Sequence, residues 1–204
     1  MRIKIEDTLF CLVDVQEKLF PHIGNKDELL RTLPILVKGM KTLDVPIIVN
    51  EQYKKGIGET IEPLKELVNE YEAYEKTTFS GCQNSDILNA FKKSGKKNIV
   101  VAGIETHVCV LQTCIDLLEN GFNVILVTNC CGSRTKLDHK MAIKRLIQAG
   151  AIPTTYESIL FELTLDSKNP NFKEISNLFF VPDFAIHSLL SIISQHNIIQ
   201  HKKD

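Results

Sequence analysis

Asn98-Ile-Val-Val-Ala-Gly-Ile-Glu-Thr-His-Val-Cys-Val110 is the stretch whose reading decides the fold. Asn98 to Gly103 is a short, unbroken apolar run rich in β-branched residues, as a parallel strand covered on both faces requires. Ile104 to Cys109 turns out of it. Val110 to Asn120 then carries Val110, Leu111, Cys114, Ile115, Leu117 and Leu118 at helical spacing, and Gly121 ends the helix. Phe122 to Thr128 is the next buried strand, so the unit is βαβ with Cys109 at the helix start. If Thr106 is the N-cap, Cys109 is the third helical residue, in the turn whose amide donors lack partners. That position favours negative charge and makes a thiol a better nucleophile. Taken alone, Cys109 reads as a small buried hydrophobe.

Working back, Thr8-Leu-Phe-Cys-Leu-Val13 is a buried strand that ends on Asp14. Asn25 with Glu28 reads as a capping box opening a helix with Leu29, Leu33, Leu36, Val37, Met40 and Leu43 on one face. Pro34 inside it predicts a kink or a break. Val45 to Asn50 is the second strand and Glu51 to Gly58 a loop leaving its carboxyl end. Ile61 to Glu70 is a weak helix, and Tyr71 to Glu75 a short third strand with Lys76 behind it. Asn84 to Ser94 is helical, stopped by Gly95. Working forward, Lys136 to Ala149 is a helix ended by Gly150, and Ala151 to Thr155 a short edge strand that tolerates its proline. This alternation predicts an α/β fold with an open parallel sheet. From about Asn169 a C-terminal helical tail is expected, with apolar stretches Ile175 to Val181 and Phe184 to Ile199. An exposed apolar face there implies a homo-oligomer.

A chain of 204 residues with 44% hydrophobic content fits a single domain spanning 1–204. A formal net charge of -1 gives no basic field, so neither nucleic acid nor a membrane is an expected partner. The apolar run before Asp7 is too short for a signal peptide, which points to the cytoplasm. The six cysteines show no CxxC pair and no zinc spacing, so reduced thiols are expected. Adjacent Cys130 and Cys131 would bridge only with strain, and read as two packed thiols at a strand end.

Three places taken together resemble the isochorismatase-like cysteine hydrolases: Val13-Asp14-Val15-Gln16, Glu75-Lys76-Thr77-Thr78-Phe79-Ser80, and Gly103-Ile-Glu-Thr-His-Val-Cys-Val110. The resemblance implies a Rossmann-like three-layer fold with strand order 3-2-1-4-5-6 and a catalytic triad of Asp14, Lys76 and Cys109. It implies a cis peptide between Ile104 and Glu105, and an oxyanion hole made by the backbone N–H groups of Glu105 and Cys109. The nicotinamidase branch holds a metal on an Asp-x-His motif after the second strand. Asn50-Glu51-Gln52-Tyr53 stands there instead, so neither a metal nor any other cofactor is expected, and the isochorismatase domain-containing branch is the better match.

A carboxylate beside a thiol can take its proton, a lysine can hold both in place, and helix amides can receive an oxyanion. The expected activity is therefore amidase-type cleavage of a C–N bond in a small molecule, through a thioester on Cys109. Leu19, Gln52 and Tyr53 are candidate pocket residues. A non-catalytic homologue acting as a binding or oligomeric protein is one alternative, and a thiol sensor oxidised at Cys109 is another. His107 is two residues from Cys109 on a helix, where side chains diverge, so it is a poor base for that thiol. His139 reads as helix surface.

Overall fold

Six strands, β1 (Thr8–Val13), β2 (Ile47–Gln52), β3 (Ala73–Lys76), β4 (Asn98–Ile104), β5 (Asn123–Gly132) and β6 (Ile152–Thr154), form one sheet in the order β3-β2-β1-β4-β5-β6. All five pairings are parallel. The structure, a computed structural model, describes residues 1–71 and 73–180. Among the described residues eight α-helices connect and flank the strands: α1 (Lys26–Thr42), α2 (Lys54–Ile57), α3 (Glu62–Val68), α4 (Ser85–Lys93), α5 (Leu111–Glu119), α6 (Lys136–Ala149), α7 (Tyr156–Thr164) and α8 (Phe172–Asn177). Successive side chains of a strand point to opposite faces, and this divides the core in two. Phe10 and Leu12 of β1 pack with α1, α3, α7 and α8. Leu9, Cys11 and Val13 pack with α4, α5 and α6. The result is the open parallel sheet that the strand and helix pattern predicts, in the three-layer fold that the resemblance implies.

Several expectations need correcting. The helix containing Pro34 is continuous from Lys26 to Thr42. A proline inside a helix costs about 3 kcal/mol. Leu29, Leu33, Leu36, Val37 and Met40 are fully buried on this helix, and each contributes roughly 1.5–3 kcal/mol, so packing overrides the break. Asn25 stands at the N-cap but its side chain makes no cap bond. Its Nδ2 donates instead to the Cys131 carbonyl at 3.1 Å, tying the start of α1 to the end of β5.

The fifth strand is longer than the apolar run suggests. Its pairing with β4 shifts register between Val101 and Gly103, after which Cys131 and Gly132 pair with Gly103 and Ile104. Cys130 faces the α1 layer and Cys131 the α5 layer. All six cysteines are unpaired and buried. The expected helix Ile175 to Val181 is α8, which lies earlier, and Phe179 stacks on Tyr156 and Phe161. The expected helix Phe184 to Ile199 lies outside the described residues. Among the described residues no helix is long and apolar enough to cross a membrane.

Among the glycines, Gly103 meets neighbouring backbone most closely. Its φ is +128°, and a Cβ there would stand 2.1 Å from the Val13 carbonyl oxygen. The obstacle is backbone, so nothing can swing aside. Gly103→Ala is therefore expected to abolish soluble folded protein or lower the thermal midpoint by more than about 10 °C, as a melting curve would read; an unchanged midpoint would mean that β1 and β4 do not meet in this way.

Burial raises all six thiols above their ordinary value of 9.0. Above about pH 9 the unfolded chain releases these protons while the native state keeps them, so stability falls with rising pH. Each thiol steepens that fall by up to about 1.4 kcal/mol per pH unit. Urea midpoints measured from pH 8 to 10 should therefore drop steeply, and a cysteine-to-alanine change at a core position such as Cys114 should flatten the slope.

Candidate active site

The winding of the sheet reverses between β1 and β4, and ligands of open α/β sheets bind beyond the strand carboxyl ends at such a point. Asp14 follows β1 in left-handed backbone, φ +51°, and is fully buried. Lys76 is the last residue of β3 and equally enclosed. Its Nζ donates to Asp14 Oδ2 at 2.6 Å, to Gln52 Oε1 at 3.1 Å, and to the carbonyls of Thr78 and Phe79 at 3.3 and 3.2 Å. Four acceptors around one ammonium keep the charge solvated by the protein in place of water.

Asp14 thus has one oxygen bound to Lys76, while Oδ1 is buried with no donor aligned on it. The Cys109 thiol interacts with this same carboxyl. Burial pushes the Asp14 carboxyl above the ordinary carboxylate range, and the pull of Lys76 only partly offsets it. Burial also pushes the Cys109 thiol up, the Asp14 charge adds to this, and Lys76 opposes it. Burial and the Asp14 charge therefore outweigh Lys76 and favour the protonated thiol, a balance that the sequence alone leaves open. A carboxyl with a raised pKa is the stronger base, and it stands beside this thiol.

The turn carrying Cys109 also differs from expectation. Residues Thr106–Val110 form a single π-helical turn ahead of α5, with Glu105 and not Thr106 in the capping position. Thr106 Oγ1 is engaged by His139 Nδ1 at 2.9 Å, so His139 is a half-buried partner of the turn and not helix surface. His107 Nδ1 bonds Ser133 Oγ at 3.0 Å. Arg134 Nε donates to Glu105 Oε1 at 2.9 Å. The Ile104–Glu105 peptide is cis.

Of the candidate pocket residues, Gln52 reaches the centre directly, through Lys76 on one side and the Thr77 carbonyl, 2.9 Å away, on the other. Tyr53 is 50% exposed beside it, and its amide bonds the Lys76 carbonyl at 2.8 Å. Leu19 packs against the α1-side core and makes no polar link to the lysine. Gln16 was not anticipated. Its Nε2 donates to the carbonyls of Gln52 and Gly58 at 2.9 and 2.6 Å, and its Oε1 accepts from the Gln52 amide at 2.7 Å. No periodicity marks such a residue; its only signal is its place two positions after Asp14.

Glu51 occupies the segment where the nicotinamidase branch holds its metal. Its Oε1 accepts from the Thr60 amide and hydroxyl at 2.7 and 2.8 Å, which makes it a brace for the loop after β2. Among the described residues no three His, Cys, Asp or Glu side chains converge as metal ligands.

Residues 8–158 match the isochorismatase domain. Isochorismatase family protein 1A of Dictyostelium discoideum is 40% identical over 173 residues, covering 82% of this chain and 84% of that protein. The MAR1 ribonuclease of Caenorhabditis elegans superposes with a TM-score of 0.84 at 39% identity, covering 89% of this chain and 94% of that one. YcaC of Escherichia coli, an octameric hydrolase of unknown specificity, superposes with a TM-score of 0.85 at 25% identity, and each chain covers 98% of the other.

Proposed function

The chain belongs to the isochorismatase family of hydrolases, and from that premise we propose that it cleaves the C–N bond of a small amide through a thioester on Cys109. The observation that carries this reading is the fully buried Asp14–Lys76 pair, whose carboxyl has the Cys109 thiol for a neighbour. An ion pair kept out of water costs several kcal/mol per ion in desolvation. A shorter apolar arrangement would stabilise the fold as well, so the pair points to chemistry.

The steps follow from the atoms present. Cys109 Sγ attacks the carbonyl carbon as Asp14 Oδ1 takes the thiol proton, so no free thiolate accumulates. The carbonyl oxygen becomes an oxyanion held by the amides of Glu105 and Cys109. Asp14 then gives its proton to the nitrogen of the leaving amine, and the C–N bond breaks to leave the thioester. Water attacks that thioester with Asp14 as base, which frees the acid and returns the proton to Cys109. Lys76 holds the carboxylate in position throughout, and Gln52 holds Lys76.

The test is ammonia or amine release from a panel of small amides, with RNA included because the nematode relative is a ribonuclease. The expected result is turnover of at least one amide, a thioester adduct of Cys109 by intact mass, and no RNA cleavage. RNA cleavage by the wild type and not by Cys109→Ala would overturn the amide reading. Oxidation of Cys109 by peroxide, with every amide inert, would favour the thiol sensor. Self-association belongs to the same proposal: the octameric state of YcaC supports it, and Leu137 and Met141 are exposed on one face of α6. Sedimentation of the full chain checks it, and a monomer at micromolar concentration would exclude it.

A further inference from the structure

Three consecutive residues ahead of the nucleophile are each held by a side chain from one short segment, residues 133–139. Arg134 Nε donates to Glu105 Oε1 at 2.9 Å, His139 Nδ1 pairs with Thr106 Oγ1 at 2.9 Å, and Ser133 Oγ pairs with His107 Nδ1 at 3.0 Å. The turn they grip has little support of its own. It is a single π-type turn with no side-chain cap, and the amides of Val108 and Val110 share the Glu105 carbonyl at 3.0 and 3.2 Å. Isolated π turns are uncommon and concentrate at functional sites. Here the hydrogen bonds that define its position come from outside it.

We propose that Ser133, Arg134 and His139 are positioning residues for the reaction, a three-point clamp that sets the Cys109 thiol against Asp14 and directs the Glu105 amide at the oxyanion. This rests on Cys109 being the nucleophile. Arg134 separates aiming from folding most cleanly. Its side chain is 59% exposed against 9% for Glu105, and an ion pair with so exposed a member contributes little to stability. What the contact does determine is the place of Glu105, whose backbone belongs to the site. His139 is half-buried between α6 and the turn, and its bond to Thr106 needs one ring nitrogen at one position. An asparagine amide can stand where that nitrogen stands, and a phenylalanine can fill the space without the bond.

The experiment uses the full chain with iodoacetamide as the probe of thiol placement, because alkylation needs no turnover. Arg134→Met and His139→Phe are expected to slow alkylation of Cys109 and to lower kcat on an amide found in the panel, each by about 10- to 100-fold. KM should stay within about threefold. His139→Asn should recover both rates, and the thermal midpoint of Arg134→Met should stay close to wild type. Wild-type alkylation and kcat in Arg134→Met and His139→Phe, with only a lowered midpoint, would reduce the clamp to a structural contact and overturn the proposal. Full turnover by Cys109→Ala would instead remove the nucleophile on which the proposal rests, whereas slowed alkylation in the clamp variants would still show that they aim this thiol.

Discussion

Cys109→Ala is expected to lower amide turnover by at least about 10⁴-fold while moving stability by no more than about 1–2 kcal/mol. The two effects separate because the side chain is small and already packed, whereas the covalent path has no other thiol to use. Cys11, Cys114, Cys130 and Cys131 are fully enclosed in the core. Cys82 is 7% exposed, close to the 5% of Cys109, but its thiol is directed at the Thr113 carbonyl, and burial with the Asp116 charge pushes it up. Iodoacetamide at neutral pH should therefore modify Cys109 first, and Asp14→Asn should slow that reaction, because the resting group is a thiol whose proton needs an acceptor. Full activity in Cys109→Ala, or first labelling at Cys82, would defeat the nucleophile assignment. The measurements are kcat on the amide, a urea midpoint and peptide mapping of the alkylated chain.

Lys76→Met carries the second large effect, and here the depth of the lysine changes the expectation drawn from sequence. As a group at a pocket, Lys76 would matter for turnover and little for stability. The structure encloses it completely, with Asp14 as its closest partner. Removing one member of such a pair costs about 3–5 kcal/mol when the other is left charged. Burial already raises the Asp14 carboxyl against the pull of Lys76, so without Lys76 the carboxyl is pushed further toward its protonated form. Turnover falls as the base is lost to protonation, and stability is lost as well. The sign of the pH dependence follows. Between the ordinary carboxylate range and its raised native value, Asp14 binds more protons folded than unfolded, so stability falls as pH rises through that window. The variant widens the window upward and should be more stable at pH 5 than at pH 7. Asp14→Asn combined with Lys76→Met removes both charges and should recover most of the lost stability with no turnover. A single variant as stable and as active as the wild type at pH 7 would return Lys76 to a bystander.

How far these features could be read from sequence depended on their physics. The β4–α5 unit was legible because an unbroken apolar strand followed by helical spacing has few other solutions. Asp14, Lys76 and Cys109 were found through motif resemblance, and the structure brings them together. The burial of Lys76 was not legible, since a lysine is ordinarily exposed and nothing in Ala73 to Phe79 announces four acceptors around it. The π turn was missed because Thr106 is a good local cap and only a distant partner, His139, draws its hydroxyl away. Pro34 misled for a related reason: local propensity argued for a break, and five buried side chains on the same helix decided against it. The end of β5 was lost where polar Asn129 interrupts the apolar run. Pairing with Gly103 and Ile104 resumes beyond it and delivers Ser133 and Arg134 to the turn.

Gln16 holds the loop after β2 only through backbone atoms, the carbonyls of Gln52 and Gly58 and the amide of Gln52. Such a fastening is indifferent to which side chains stand between its two ends. Exposed side chains within residues 53–57 can therefore change without touching this fastening. On the proposed reading, exchanging exposed positions such as Tyr53 and Lys55 would change which amide is taken and leave the Asp14–Lys76 pair where it is.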